Sequence, residues 1–283
     1  MLLAILSFLA ATVTAVVCSV TGSFYNDMWL WLLPVTYLGS FLVFAGMAYL
    51  FLLLVCKLID PEKPRTEDSP WFRRMVLCYI DAILTVLPVK IRAQGLEKLP
   101  REGRFLLVCN HLHNIDPAFL LNAFPKSQLA FVAKQETRQM FLVDKVLPKL
   151  LCPLINREND REALKTILRC IQLLKSDTVS IAIFPEGRIN PYRKLAHFRP
   201  GVFKIAQKAE VPIVVCTLRN TQNVLARVTK LKHTAVELHL LDVIPVEEIR
   251  DKTTVEVADR IYAMMADDLG PQYVLTPEEE ENT

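Results

Sequence analysis

Phe105-Leu106-Leu107-Val108-Cys109, followed at once by Asn110-His111-Leu112-His113-Asn114-Ile115-Asp116-Pro117, sets a short apolar run against a polar loop. A run of this length with a turn-forming sequence behind it predicts a strand buried on both faces. Residues 129–133, 179–184 and 213–217 have the same character. Helical patterns lie between and after them, and two carry start signals, Asn159 with Glu162 and Thr253 with Glu256. Such a pair is a capping box, in which side chain and backbone at a helix start satisfy each other's donors. Leu164, Ile167, Leu168, Ile171 and Leu174 make the expected core stripe of the first helix, and Val257, Ile261, Met264 and Met265 that of the second. Strands alternating with helices predict an α/β fold, a mixed sheet flanked by helices, over residues 71–272.

Upstream of this domain the composition changes. The 283 residues are 52% hydrophobic, with a mean hydropathy of +0.28. The excess sits in two runs free of Lys, Arg, Asp and Glu, residues 1–26 and 28–56. Both reach the length that spans a bilayer, which predicts an N-terminal membrane-anchoring helical hairpin over residues 1–59. A cleaved signal peptide competes for the first run, but the run lacks a basic start and a second long apolar run follows it. The intervening Thr21, Gly22, Ser23, Tyr25, Asn26 and Asp27 include no Lys or Arg, whereas Lys57, Lys63, Arg65, Arg73 and Arg74 crowd the exit of the second run. This asymmetry puts the remainder of the chain on the cytoplasmic side of the cell (inner) membrane. Pro34, Gly39 and Gly46 would equally let a bent second helix dip into one leaflet.

Residues 60–70, rich in Pro and charge, read as a linker, and the stretch from Trp71 as an amphipathic helix lying on membrane or core. Glu278 to Glu281 give the end of the chain, residues 273–283, the composition of a solvated acidic tail. A net charge of +3 is too small to argue for nucleic acid, but basic residues beside an apolar hairpin suit an anionic bilayer. Seven scattered cysteines suggest neither a disulfide framework nor a zinc knuckle, and read as small buried residues in a reducing compartment.

The chemistry gathers where the first strand ends, which is where α/β folds put their sites. His111 and Asp116 are separated by four residues, enough for a turn to bring the carboxylate behind the imidazole. The carboxylate would hold one ring nitrogen protonated and leave the other free to accept a proton from an alcohol. A blander reading makes Asp116 the start of a helix with Pro117 at its first position. A third makes His111, His113 and Asp116 metal ligands of a hydrolase, although no further close His or Cys pair supports it. A second constellation, Phe184-Pro185-Glu186-Gly187-Arg188, ends another of the buried runs and sets a guanidinium fork at a strand edge, suited to a phosphate.

With both constellations the chain resembles the glycerolipid acyltransferases of the PlsC type, whose best-known members acylate 1-acylglycerol-3-phosphate. Asn110, His111 and Asp116 match the family's N-H-x-x-x-x-D motif. Leu154, Ile155, Asn156 and Arg157 loosely match its second motif, Phe184 to Gly187 with Arg188 its F-P-E-G-T-R-S motif, and Val211 to Val214 its V-P-I-V-P stretch. Phe198-Arg199-Pro200-Gly201-Val202-Phe203-Lys204 also looks like a family segment, and the resemblance spans roughly residues 90–220. Leu151 stands where the second motif usually opens with Gly, the Thr of the third is absent, and the second Pro of the fourth is missing.

The resemblance implies acyl transfer from acyl-CoA or acyl carrier protein to a lysophospholipid acceptor in the membrane, with no metal or bound cofactor. It further implies that His111, oriented by Asp116, is the base, and that Arg188, Arg157 and more weakly Lys134 bind the acceptor phosphate. Glu186 and Gly187 would shape the same pocket, Glu186 alternatively holding an arginine. Other lysolipid acceptors, and a non-catalytic lipid-binding protein, stay open as readings.

Overall fold

In the computed structural model, residues 2–20, 29–63, 65–87, 89–157, 159–228 and 232–281 are described. The expected hairpin linker, from Thr21 to Asp27, falls outside them. The chain divides into two compact units, one of residues 1–63 with 81–86 and one of residues 64–80 with 87–283.

In the first unit, α1 (Leu2–Val20) packs along α2 (Trp29–Lys57). Lys57 ends α2, and Pro34 lies inside it. Within α2, Pro34–Lys57 is long and apolar enough to cross a membrane, and the apolar stretch Phe8–Val17 of α1 is shorter.

The second unit takes in α3 (Pro70–Val86) as far as Ile80, then β1 (Val89–Gln94), β2 (Leu106–Cys109), α4 (Asp116–Ala123), β3 (Leu129–Phe131), β4 (Ala133–Lys134), α5 (Val143–Lys149), β5 (Leu154–Ile155) and α6 (Asp160–Lys175). It continues through β6 (Ser180–Ile183), α7 (Lys204–Ala209), β7 (Ile213–Arg219), α8 (Val224–Val228), β8 (Thr234–Ile244), α9 (Val246–Ile249), α10 (Thr254–Leu269) and α11 (Pro277–Glu281). Six strands form one mixed sheet in the order β1-β8-β7-β2-β6-β3, and β4 and β5 form a separate parallel pair. All neighbours in the large sheet are parallel except β7 and β8.

The central strands β2, β6 and β7 are buried almost throughout, which is why they read as continuous apolar runs. β8 alternates buried and half-buried residues along Thr234 to Leu240, a period-2 pattern that exposes one face. The expected strand over residues 129–133 is split, because the chain leaves the large sheet after Phe131 and starts the small one at Ala133.

Four local expectations are corrected. The buried face of α6 is Thr166, Cys170, Leu173 and Leu174, while Leu164 and Leu168 are exposed, so the apolar stripe is offset from the face that packs. Asn159 does cap α6, accepting from the N–H groups of Arg161 and Glu162, but Glu162 is bonded to Asn156 Nδ2 at 2.8 Å. The capping box of Thr253 and Glu256, by contrast, is complete. Arg73 is no surface cation: it is buried, paired to Asp68 at 2.8 Å, and donates to the carbonyls of Leu129 and Leu150. Nor is the acidic tail simply solvated. Lys194 Nζ donates to both Glu279 oxygens at 2.7 and 2.8 Å, and Leu195 bridges to Val274 as in a parallel ladder.

Candidate active site

The site is built on the ends of β2 and β6, neighbours in the sheet. Asn110, first residue beyond β2, is buried and exchanges two hydrogen bonds with the Leu218 backbone, 3.0 and 2.7 Å, tying the loop to β7. His111 follows, its Nδ1 2.8 Å from Asp116 Oδ2. That same oxygen accepts the N–H groups of Leu112 at 2.7 Å and His113 at 2.9 Å. The carboxylate is wholly buried, and it reaches back into its own loop instead of capping α4, whose first turn has no side-chain cap. Asp116 therefore begins the helix and orients the histidine at once.

With Nδ1 of His111 facing a carboxylate oxygen, that ring nitrogen carries the proton and Nε2 is left as the acceptor. Phe184 holds the ring from its face, the two rings stacked 4.0 Å apart with a 12° tilt. The His111 side chain stays 17% exposed, so a reactant can reach it. His113 is directed elsewhere: its Nδ1 accepts the Ile115 N–H at 3.3 Å. Among the described residues no group of three or more His, Cys, Asp or Glu is arranged to hold a metal ion.

Glu186 is buried and, among the described residues, pairs with no arginine. One oxygen accepts the His111 N–H at 2.8 Å and the other the Ala196 N–H at 3.1 Å. Burial pushes this carboxyl up to about 8, against the two backbone donors, with neighbouring Asp116 adding to the rise. Its work is to staple the histidine loop to the segment beyond Gly187. Arg193 adds a second staple, donating to the Leu112 carbonyl at 3.0 Å. Sequence reading missed both, because their partners lie 75 and 81 residues away.

The expected phosphate ligands fall into two sets. Lys134 and Arg157 are brought together by the pairing of β4 with β5, in which Lys134 faces Ile155. Lys134 pairs with Glu136 at 3.1 Å, and Arg157 is half-buried within reach of the Glu136 charge. Arg188, next in sequence to Gly187, is exposed, with no hydrogen bond or ion pair among the described residues. Cys109, adjacent to the loop, is buried, and burial holds its thiol well above the ordinary range. A thiol that stays protonated is a poor nucleophile.

Comparisons with known proteins bear on the family and the fold. Residues 90–219 match the family model described as Acyltransferase. A probable 1-acyl-sn-glycerol-3-phosphate acyltransferase of Mycoplasma pneumoniae is 30% identical over 194 residues, 66% of this chain and 72% of the relative. The 1-acyl-sn-glycerol-3-phosphate acyltransferase of Borreliella burgdorferi is 28% identical over 149 residues, 53% of this chain and 59% of the relative. In fold, the chain is similar to the crystal structure of the 1-acyl-sn-glycerophosphate (LPA) acyltransferase PlsC from Thermotoga maritima. The TM-score is 0.55 at 24% identity, covering 78% of this chain and 88% of that one.

Proposed function

This chain belongs to the acyltransferase family and is an O-acyltransferase, and from that premise we propose that it moves a fatty acyl group from acyl-CoA or acyl carrier protein to the free sn-2 hydroxyl of 1-acylglycerol-3-phosphate, giving phosphatidic acid. The observation that carries this reading is the buried Asp116 carboxylate 2.8 Å behind Nδ1 of a partly open His111. Nε2 takes the hydroxyl proton as the acceptor oxygen bonds to the thioester carbonyl carbon. The C–S bond then breaks, and the departing sulfur takes the proton back from the imidazolium, which Asp116 stabilises meanwhile.

No acyl-enzyme forms in this scheme, and no metal or resident cofactor takes part. Arg157, Lys134 and Arg188 bind the acceptor's phosphate, while Glu186 and Gly187 shape the loop beside it. The apolar α2 anchors the enzyme in the cell (inner) membrane, where the lysophospholipid acceptor resides, and Lys57 at its end favours a cytoplasmic catalytic unit.

The test is transfer of a labelled acyl group by the purified enzyme, offered each donor in turn against a panel of lysophosphatidic acid, choline-bearing and amino-acid-bearing lysolipids. Phosphatidic acid as the dominant product supports the reading. Preferential acylation of another lysolipid overturns the acceptor, and chelator-sensitive hydrolysis without transfer overturns the reaction.

A further inference from the structure

Arg199 lies outside the residues assigned above, yet the fold carries it into the site. Its N–H donates to the Pro185 carbonyl at 2.9 Å, which fixes its backbone beside the turn that follows β6. Its side chain then runs across Gly187. A Cβ built on Gly187 would lie 2.9 Å from Arg199 Nε and 3.1 Å from its Cδ. Gly187 also has φ +80°, so the turn needs glycine both for its backbone and for the room it leaves the guanidinium.

Arg199 has a like-charged neighbour. Arg157, just past β5, lies within electrostatic reach of it, and burial together with the like charge of Arg199 pulls the Arg157 guanidinium below its usual range. The nearest compensating carboxylate, Glu136, is shared with Lys134. Among the described residues neither guanidinium has a hydrogen-bond or ion-pair partner. Three cations against one carboxylate leave an excess of positive charge with five uncommitted N–H donors on each guanidinium. Two such forks within electrostatic reach of each other are relieved by an oxyanion that accepts from both.

We propose that Arg199 pairs with Arg157 as a clamp on a phosphate monoester, the headgroup of the acceptor lipid, and that Gly187 keeps the clamp open. The assignment rests on the acceptor proposed above. A phosphate monoester is also carried by the coenzyme A donor, so the experiment has to separate the two sources.

Initial rates of Arg199→Met, Arg199→Lys and wild type are measured in detergent with lysophosphatidic acid varied at fixed acyl-CoA. They are then measured with acyl-CoA varied, and with an acyl N-acetylcysteamine thioester, which has no phosphate, as donor. The expected result for Arg199→Met is a KM for lysophosphatidic acid raised about 10- to 100-fold, as for loss of a charged hydrogen-bonding group. The KM for acyl-CoA and the rate at saturation should stay within a few-fold. Arg199→Lys, which keeps the charge and loses the fork, should fall between. The acceptor defect should persist with the phosphate-free donor. Gly187→Ala should raise the same KM and add little in combination with Arg199→Met, because both empty the same place.

A defect confined to the KM for acyl-CoA that vanishes with the phosphate-free donor assigns the clamp to the donor and overturns the proposal. So does an unchanged acceptor KM in Arg199→Met with a wild-type melting temperature. If wild type itself acylates only acceptors without a phosphate monoester, the acceptor reading has failed, and the clamp with it. If the variants melt early, protection of wild-type arginines from phenylglyoxal by sn-glycerol 3-phosphate decides: Arg199 unprotected contradicts the clamp.

Discussion

At the scale of single residues, Asp116 accepts three N–H groups on one oxygen, and an amide there would satisfy only part of them. Asp116→Asn also removes the charge that stabilises the imidazolium. The turnover rate should fall about 10²- to 10⁴-fold with little change in either KM, read from steady-state kinetics. Glu186 makes a prediction of the opposite kind, in stability. Its folded carboxyl titrates near 8, above the ordinary carboxylate value of 4.5 that the unfolded chain has, so the folded state holds a proton which the unfolded chain releases. Its contribution is therefore fully present below about pH 4.5 and is lost as pH rises towards 8. The melting temperature of wild type in detergent should decline over that window, and Glu186→Gln should flatten the decline. An equally steep profile in the variant would reject the assignment.

His111 and Asp116 were legible in the sequence because a pair with four residues between them can meet through a local turn. The role of Glu186 was not, since a carboxylate stapling two backbone N–H groups leaves the same letters as one that binds arginine. Leu151 is a third case. It stands where a glycine was expected and has φ +58°, a left-handed backbone that costs a branched residue roughly 1–2 kcal/mol. Its side chain is buried, which offsets that cost.

At the scale of elements, α3 is tied to the sheet through Arg73, which brings the Asp68 carboxylate with it into the interior. Removing one partner of a buried pair leaves the other uncompensated, so Asp68→Ala should cost about 3–5 kcal/mol. Replacing both together, as in Asp68→Ala with Arg73→Met, should restore part of it. Chemical denaturation of the full chain in detergent reads both numbers, and a silent Asp68→Ala would contradict the assigned burial. The central strands were readable because burial on both faces writes an uninterrupted apolar run. β1 and β8 escaped, being half-exposed edge-side strands whose alternating pattern shares its letters with loops and helices. The offset of the α6 face has a related cause: leucines at helical spacing mark an apolar face, and which face packs is decided by neighbours that local periodicity does not encode.

At the scale of the whole molecule, composition alone separated an apolar N-terminal portion from an α/β portion, since charge-free runs of spanning length are rare in soluble folds. It could not divide them residue by residue, and the compact units exchange the segment 81–86 across that line. Nor could it foresee that a run of glutamates docks on Lys194, because ion pairs between distant segments depend on the completed fold. With Pro34–Lys57 long and apolar enough to cross a membrane, the enzyme should stay in the membrane pellet through high-salt and alkaline washes and leave it only with detergent. Release by salt alone would indicate a peripheral, electrostatic attachment.

The central claim, that His111 is the base of a direct acyl transfer, is tested by single-turnover mixing of enzyme with radiolabelled acyl-CoA, with and without lysophosphatidic acid, in wild type and His111→Ala. The account predicts labelled phosphatidic acid from wild type, no label on the protein when acceptor is omitted, and product formation slowed at least about 10³-fold in His111→Ala. Label bound covalently to the protein without acceptor, or a His111→Ala enzyme within tenfold of wild type, would contradict it.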